Sequence, residues 1–102
     1  MTLEDLKTRC INTGLKYAYG RFEESVTPPH VIVTNPESEN FVADNVVYLK
    51  VNSIILELTT TKKDLNLENK IEDEILYDIV WRKEETNIDD EGIYNVSYFF
   101  DI

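Results

Sequence analysis

The chain has 102 residues, of which 42% are hydrophobic and 11% aromatic, and its formal net charge is −10. This length corresponds to a single domain, residues 1–102, which can bury a core but is too small to enclose a deep substrate pocket as well. The acidic balance disfavours specific binding to DNA or RNA, because that affinity depends on cations that neutralise phosphates. An acidic membrane surface would also repel the chain.

The charge is concentrated in the second half of the chain. Residues 1–63 hold eight acids and seven bases, whereas residues 64–102 hold twelve acids and three bases. An acidic surface of this kind keeps DNA from adhering. The N-terminal residues lack the basic and apolar regions of a signal peptide, and no apolar run reaches the length of a membrane span. We therefore expect a protein that is assembled in a cytosol.

The first elements are a helix and an aromatic segment. Thr2 is placed to cap a helix over residues 3–13, whose apolar residues recur at helical spacing, and Gly14 is placed to end it. The segment from Tyr17 to Phe22 is too rich in aromatic residues for a simple linker. His30 to Thr34 then has the composition of a strand.

Turn-forming residues over 35–45 predict a long loop between that strand and the next one. Residues 46–61 favour a strand, and their apolar phase slips at Asn52-Ser53, which is typical of a β-bulge or a tight turn. We interpret this stretch as one long strand with a bulge, with two short strands as the alternative.

The second half predicts a helix and a hairpin. Asp64 or Asn66 caps a helix that buries Leu67, Ile71 and Ile75 and turns its acids outward, namely Glu68, Glu72, Asp73 and Asp78. Strands over 80–88 and 93–102 follow, joined by a turn at 89–92. The predicted fold class is α+β, in the order helix, strand, strand, helix, hairpin. It has an antiparallel four-stranded sheet with both helices packed on one face.

The sequence contains no pattern typical of catalysis. His30 is the single histidine and has no evident nucleophile beside it, and Cys10 lies on the apolar stripe of the first helix. The run that starts at Asp64 imitates a calcium loop, but Asn69 and Ile75 stand where that loop needs Gly and Glu. The glycines are isolated, so no phosphate loop is present. We predict that the protein is not an enzyme and holds no metal or cofactor.

Aromatic residues outside the regular pattern are candidates for a protein interface, since they bury large areas at a small entropic cost. The predicted interface consists of Tyr17, Tyr19, Phe22, Phe41 and Asp44. For Tyr17 and Tyr19, packing against the ends of the sheet is an equally good interpretation.

Several motifs, in the same order along the chain, resemble a family of small proteins from phages and prophages of Gram-positive bacteria. The family lies among head–tail joining and tail genes, and it is similar to tail terminator and tail completion proteins. The motifs are Tyr17-Ala18-Tyr19-Gly20, Pro28-Pro29, Asn40-Phe41-Val42-Ala43-Asp44-Asn45, Val47-Tyr48, Leu56-Glu57-Leu58, Lys62-Lys63-Asp64, Glu84-Glu85-Thr86 and Tyr94-x-Val96-x-Tyr98.

The resemblance implies a virion protein that forms a ring, a hexamer, at the head-proximal end of the tail tube. Its partners would be copies of itself, the tail tube protein and a neck or head-completion protein, while DNA passes through the ring. In such a ring we expect Asp89, Asp90 and Glu91 to face the channel, with Glu68, Glu72 and Asp73 as a second choice. The alternatives are another neck component, such as a stopper or connector, and a small phage-encoded regulator that binds one host protein.

Overall fold

The computed structural model describes the backbone of residues 1–43, 46–88 and 92–102, and the side chains of residues 1–36, 51–87 and 92–102. Along the chain lie α1 (Leu3–Asn12), β1 (Lys16–Tyr19), β2 (His30–Ala43), β3 (Val46–Thr60), α2 (Leu65–Glu74), β4 (Trp81–Ile88) and β5 (Ile93–Asp101).

The sheet differs from the predicted one. It has five strands in the order β1-β2-β3-β5-β4, and β1 pairs with β2 in parallel while the other pairs are antiparallel. The prediction of an antiparallel four-stranded sheet is therefore wrong, and the fold is a mixed α+β fold. The additional strand, β1, is only four residues long, too short for an alternating apolar pattern to identify it. Gly20, with φ of 81°, follows it and donates a backbone hydrogen bond to Val33 at 2.9 Å.

Both helices begin at capping residues that the sequence indicates. The Thr2 hydroxyl accepts a hydrogen bond from the Asp5 amide at 3.0 Å, and the Asp5 carboxylate accepts one from the Thr2 amide at 3.1 Å. The helix α1 ends before Gly14, whose φ of 83° suits a residue without a side chain. Asp64 caps α2 by accepting a hydrogen bond from the Leu67 amide at 3.1 Å.

The core lies between the helices and one face of the sheet. Alternate residues of β2, β3 and β5 point to this face, and α1 and α2 both pack on it. Each large apolar side chain that is fully buried here stabilises the fold by roughly 1.5–3 kcal/mol. The buried residues are Leu6, Cys10, Leu15, Val31, Val33, Ile54, Leu56, Leu58, Ile71, Ile75, Leu76, Val96, Tyr98 and Phe100.

The loop that the sequence predicts over residues 35–45 is a strand for most of its length. The strand β2 continues to Ala43 and stays paired with β3, although the register shifts between Thr34 and Glu37 and again between Phe41 and Val42. Asn35 and Pro36, which indicate a turn by composition, lie at the first shift, where β2 has one more residue than β3. A bulge is a place where proline fits in a strand, since its lack of an N–H matters less there. The prediction that β3 is one long strand is confirmed, but the bulge predicted at Asn52-Ser53 is wrong: both residues pair regularly with β2, and the extra residue at the nearest register shift lies in β2.

Candidate interaction surface

The paired strands β2 and β3 extend beyond the rest of the sheet. The pairing of β2 with β3 begins at the pair His30–Thr59 and ends at the pair Ala43–Val46. In contrast, β5 pairs only with the part of β3 from Ser53 to Thr60. Asn52 and Ile102 add two backbone hydrogen bonds of 3.0 and 2.9 Å at this end of β5. We call the projecting ribbon, residues 37–43 and 46–52, the arm. At about 3.4 Å per residue it is roughly 20 Å long, in a molecule that measures 50 Å along its longest axis and 26 Å along the next.

The two outer edges of the arm differ in composition. The β2 edge begins with Pro36 and carries Glu37 and Glu39, features that discourage another strand from pairing there. The β3 edge over residues 46–50 reads Val-Val-Tyr-Leu-Lys, which favours strand pairing and contains one charge. In the strand pairings of the described residues, residues 46–50 pair with β2 alone.

A groove of about 910 Å³ lies at the base of the arm. Its apolar lining includes Val80, which is 94% exposed, and the half-buried Trp81. Asp78 also lines it, but Arg9 holds that carboxylate with hydrogen bonds of 2.7 and 3.1 Å, which lower its pKa. Arg82, at the same groove, pairs with Glu84 at 2.9 Å. Since these charges are already paired, the groove suits apolar contact better than acid–base chemistry.

The predicted interface aromatics lie in different environments. Tyr17 packs half-buried against the core, and this burial raises the pKa of its hydroxyl. Tyr19 is 53% exposed. Phe22 packs edge-on against His30, with ring centroids 5.0 Å apart. Phe41 lies on β2 in the arm, opposite Leu49. Tyr19 is thus available for contacts on the surface, whereas Tyr17 contributes mainly to the core.

Some predicted site residues lie outside the described part of the chain. Asp44, Asp89, Asp90 and Glu91 are outside the described residues altogether, and for Phe41 only the backbone is described. Their assignments to an interface or to a channel remain predictions.

The structure contains a polar cluster that the sequence analysis missed. Glu68, predicted to face outward, is 1% exposed. Lys63 Nζ lies 2.8 Å from Glu68 Oε2, and Lys83 Nζ donates a hydrogen bond to Oε1 at 3.2 Å. Burial of this carboxylate is tolerated because two ammonium groups approach it.

The cluster continues from Lys83 and Lys63 to the sheet. Lys83 also donates to Glu72 Oε2 at 3.0 Å, and the same oxygen accepts a hydrogen bond from the buried Tyr98 hydroxyl at 2.7 Å. Burial and this carboxylate raise the pKa of Tyr98. Lys63 also pairs with Glu85, and this contact, with a hydrogen bond from Tyr94, lowers the pKa of the Glu85 carboxyl. The cluster therefore joins α2 to β4 by ion pairs and to β5 by a hydrogen bond from Tyr98.

The cysteine and the histidine both lie in environments that shift their pKa values. Cys10 is fully buried in the core, and burial raises the pKa of its thiol to about 12, so that it stays protonated and unreactive near neutral pH. Burial, and secondarily Lys16, lower the pKa of His30. Among the described residues, no group of three or more His, Cys, Asp or Glu side chains is placed to hold a metal ion. No helix in that part of the chain has the length and apolar character needed to cross a membrane.

Comparisons with known proteins add no relationship: no family model matches the sequence, and no curated protein shows significant similarity to it.

Proposed function

We propose that this chain is a structural subunit that assembles with copies of itself. The role would be that of the tail terminator or tail completion proteins of tailed bacteriophages that its sequence resembles. The observation that carries the proposal is the arm, which projects roughly 20 Å beyond the sheet. A ring needs two different, complementary surfaces on each subunit. The arm supplies one protruding surface, and the body of the subunit has room for the other.

In this role the chain acts by binding and not by catalysis. Copies of it form a ring, a hexamer, at the head-proximal end of the tail tube and contact the tube protein on one side and a neck or head-completion protein on the other. It assembles in the host cytoplasm and remains in the virion. DNA passes through the ring without specific binding, which is compatible with the formal charge of −10.

The test is the size of the protein in solution, alone and with the tail tube protein, measured by size-exclusion chromatography with light scattering. We expect particles of several subunits, visible as rings or as caps on tubes by electron microscopy. A chain that stays monomeric at all concentrations and does not bind tubes contradicts the proposal. A monomer that binds one host protein instead would favour the regulator alternative.

A variant without the arm sharpens this experiment. Ser38 pairs with Asn52 across the ribbon, so residues 39–51 can be replaced by Asn-Gly, which forms a two-residue hairpin turn. This change leaves the pairing of β3 with β5 and the buried core in place. We expect a folded monomer that no longer assembles. If the armless variant still forms particles of the original size, the arm does not carry the assembly.

A further inference from the structure

Among the described strands, the sheet has four outer edges to which another chain could add a strand. In the described residues, β1 pairs only with β2, and β4 pairs only with β5, so each has one outer edge. The arm adds two more, one along β2 and one along residues 46–50 of β3. An exposed strand edge presents backbone donors and acceptors to which an extended segment can bind.

Two of these edges carry residues that discourage pairing. The strand β4 has four consecutive charged residues, Arg82 to Glu85, and the β2 side of the arm has Pro36, Glu37 and Glu39. Charged side chains and proline on an edge are the usual protection against strand addition. Neither edge is therefore suited to a stable contact by main-chain pairing.

The other two edges lack this protection. Residues 46–50 contain one charge, Lys50, and β1 contains one, Lys16. Both segments are rich in aromatic or β-branched residues, which favour strands. Tyr19, at the end of β1, is 53% exposed, and a shallow cavity next to it is lined by Leu3 and Lys7. An incoming strand at β1 would thus find an edge that pairs with no second strand among the described residues, and the exposed aromatic side chain of Tyr19.

The order of the strands places these two edges on opposite sides of the sheet. In the order β1-β2-β3-β5-β4, the outer edge of β1 is one border of the sheet. The edge of residues 46–50 points in the opposite direction, because it belongs to the side of β3 that pairs with β5 from Ser53 onward. A strand of a second copy next to residues 46–50 would therefore continue the sheet where β5 no longer pairs. If that strand is β1, the second copy presents its own β3 edge to a third.

We propose that residues 46–50 of one copy pair through their main chain with the outer edge of β1, Lys16–Tyr19, of a second copy. The contact joins two different surfaces, so it repeats from copy to copy and can close into a ring. Up to four residues of β1 take part, and Tyr19 packs beside the incoming strand. The inference rests on the proposed function, because it specifies the contact by which the subunits assemble.

Cysteine crosslinking tests this contact in the assembled protein. The native Cys10 is fully buried and stays in place. A variant with both Leu49→Cys and Ala18→Cys is treated with a short thiol-reactive linker and resolved on a denaturing gel. The linker spans small differences in the register between the two paired strands. We expect a ladder of crosslinked subunits. Val47→Cys replaces Leu49→Cys in a parallel experiment, so that the neighbouring register is covered.

The matched control is a variant with both Leu49→Cys and Thr86→Cys, the second of which lies on the charged edge strand β4. We expect no ladder of crosslinked subunits from this variant. If the protein assembles and neither arm position crosslinks to residue 18, the inference is overturned while the proposed function stands. Crosslinking of Leu49→Cys alone also overturns it, because the arms would then pair with each other. A protein that remains monomeric at all concentrations and does not bind tail tubes contradicts both the inference and the proposed function.

Discussion

Replacement of Lys83 by Met removes one ammonium group from the buried polar cluster and keeps most of the length of the side chain. Lys83 Nζ lies 3.2 Å from Glu68 Oε1 and 3.0 Å from Glu72 Oε2. Without it, two neighbouring carboxylates face each other, and Lys63 remains as the cation beside Glu68. Because Glu68 is 1% exposed, water cannot replace the lost partner.

The expected loss of stability follows from the burial of the two partners. Removing one partner of a fully buried ion pair costs roughly 3–5 kcal/mol, and an exposed pair contributes about 1 kcal/mol or less. The Lys83 side chain is 32% exposed, so we expect a decrease of about 2 kcal/mol in the free energy of unfolding. In a domain of this length the melting temperature should fall by about 10 °C. Thermal and urea unfolding followed by circular dichroism measure both quantities.

Arg82→Met is the matched control for this change. Arg82 is the preceding residue of the same strand, but its side chain is 65% exposed and pairs with an equally exposed Glu84. It should lose less than about 1 kcal/mol. Adding Glu72→Gln to Lys83→Met should restore part of the stability, because it removes one of the two like charges. The reasoning is refuted if both single variants lose equal stability, or if Glu72→Gln destabilises the Lys83→Met protein further.

Three other predictions concern the arm, the buried thiol and the acids. Phe41→Ala should leave the monomer folded and reduce assembly, measured by light scattering; simple unfolding would show that Phe41 belongs to the core of its own subunit. Burial raises the pKa of the Cys10 thiol from 9.0 to about 12. Between these pH values the thiol ionises in the unfolded chain but stays protonated in the folded one. The free energy of unfolding therefore keeps the full contribution of this thiol below pH 9 and loses roughly 1.4 kcal/mol per pH unit between pH 9 and 12. From pH 9 to 12 the free energy of unfolding should accordingly fall less for Cys10→Ala than for the native protein. Parallel curves of unfolding free energy against pH for the two proteins would contradict this. Under the proposed function, neutralising Asp89, Asp90 and Glu91 should preserve assembly but slow the ejection of DNA from phage particles. An unchanged ejection rate would show that these acids do not face the channel.

The helices and the longest strand could be predicted because their signals are local. The caps Thr2 and Asp64 satisfy amide groups within the first turn of each helix. The residues between Val46 and Thr60 have a strong preference for strands wherever they pack. In these elements the local preference and the tertiary contacts agree, so the sequence pattern is sufficient.

The fifth strand and the arm could not be predicted in the same way. Pairing of β1 with β2 depends on the path of residues 20–29, which return the chain so that the two strands run parallel. Asn35 and Pro36 are typical of turns, but the pairing of β2 with β3 accommodates them as an irregularity. Both outcomes are decided by contacts between distant residues, which override local turn preference.

The burial of Glu68 illustrates a signal that was present in the sequence and was interpreted wrongly. Glu68, Ile71 and Ile75 follow the same helical spacing of three and four residues that marks a buried stripe. A charged residue on such a stripe needs partners, and those partners are Lys63, five residues before it, and Lys83 on β4. The nearer lysine is visible from the sequence, whereas the second depends on the position of β4 beside α2.

The polar cluster also changes how the acidity of the chain relates to its proposed role. Most of the described acids in residues 64–102 already have partners: Asp64 caps a helix, and Glu68, Glu72, Asp78, Glu84 and Glu85 each contact a cation. Two of these cations, Lys63 and Arg9, come from the nearly neutral first part of the chain. The formal charge of this region therefore overstates the charge that an approaching DNA molecule would meet. Electrostatic repulsion of DNA would have to come from exposed acids such as Asp73 and Glu74 and from the three acids at positions 89–91, which lie outside the described residues. For this reason neutralising Asp89, Asp90 and Glu91 tests the idea of a DNA conduit more directly than a change in net charge elsewhere.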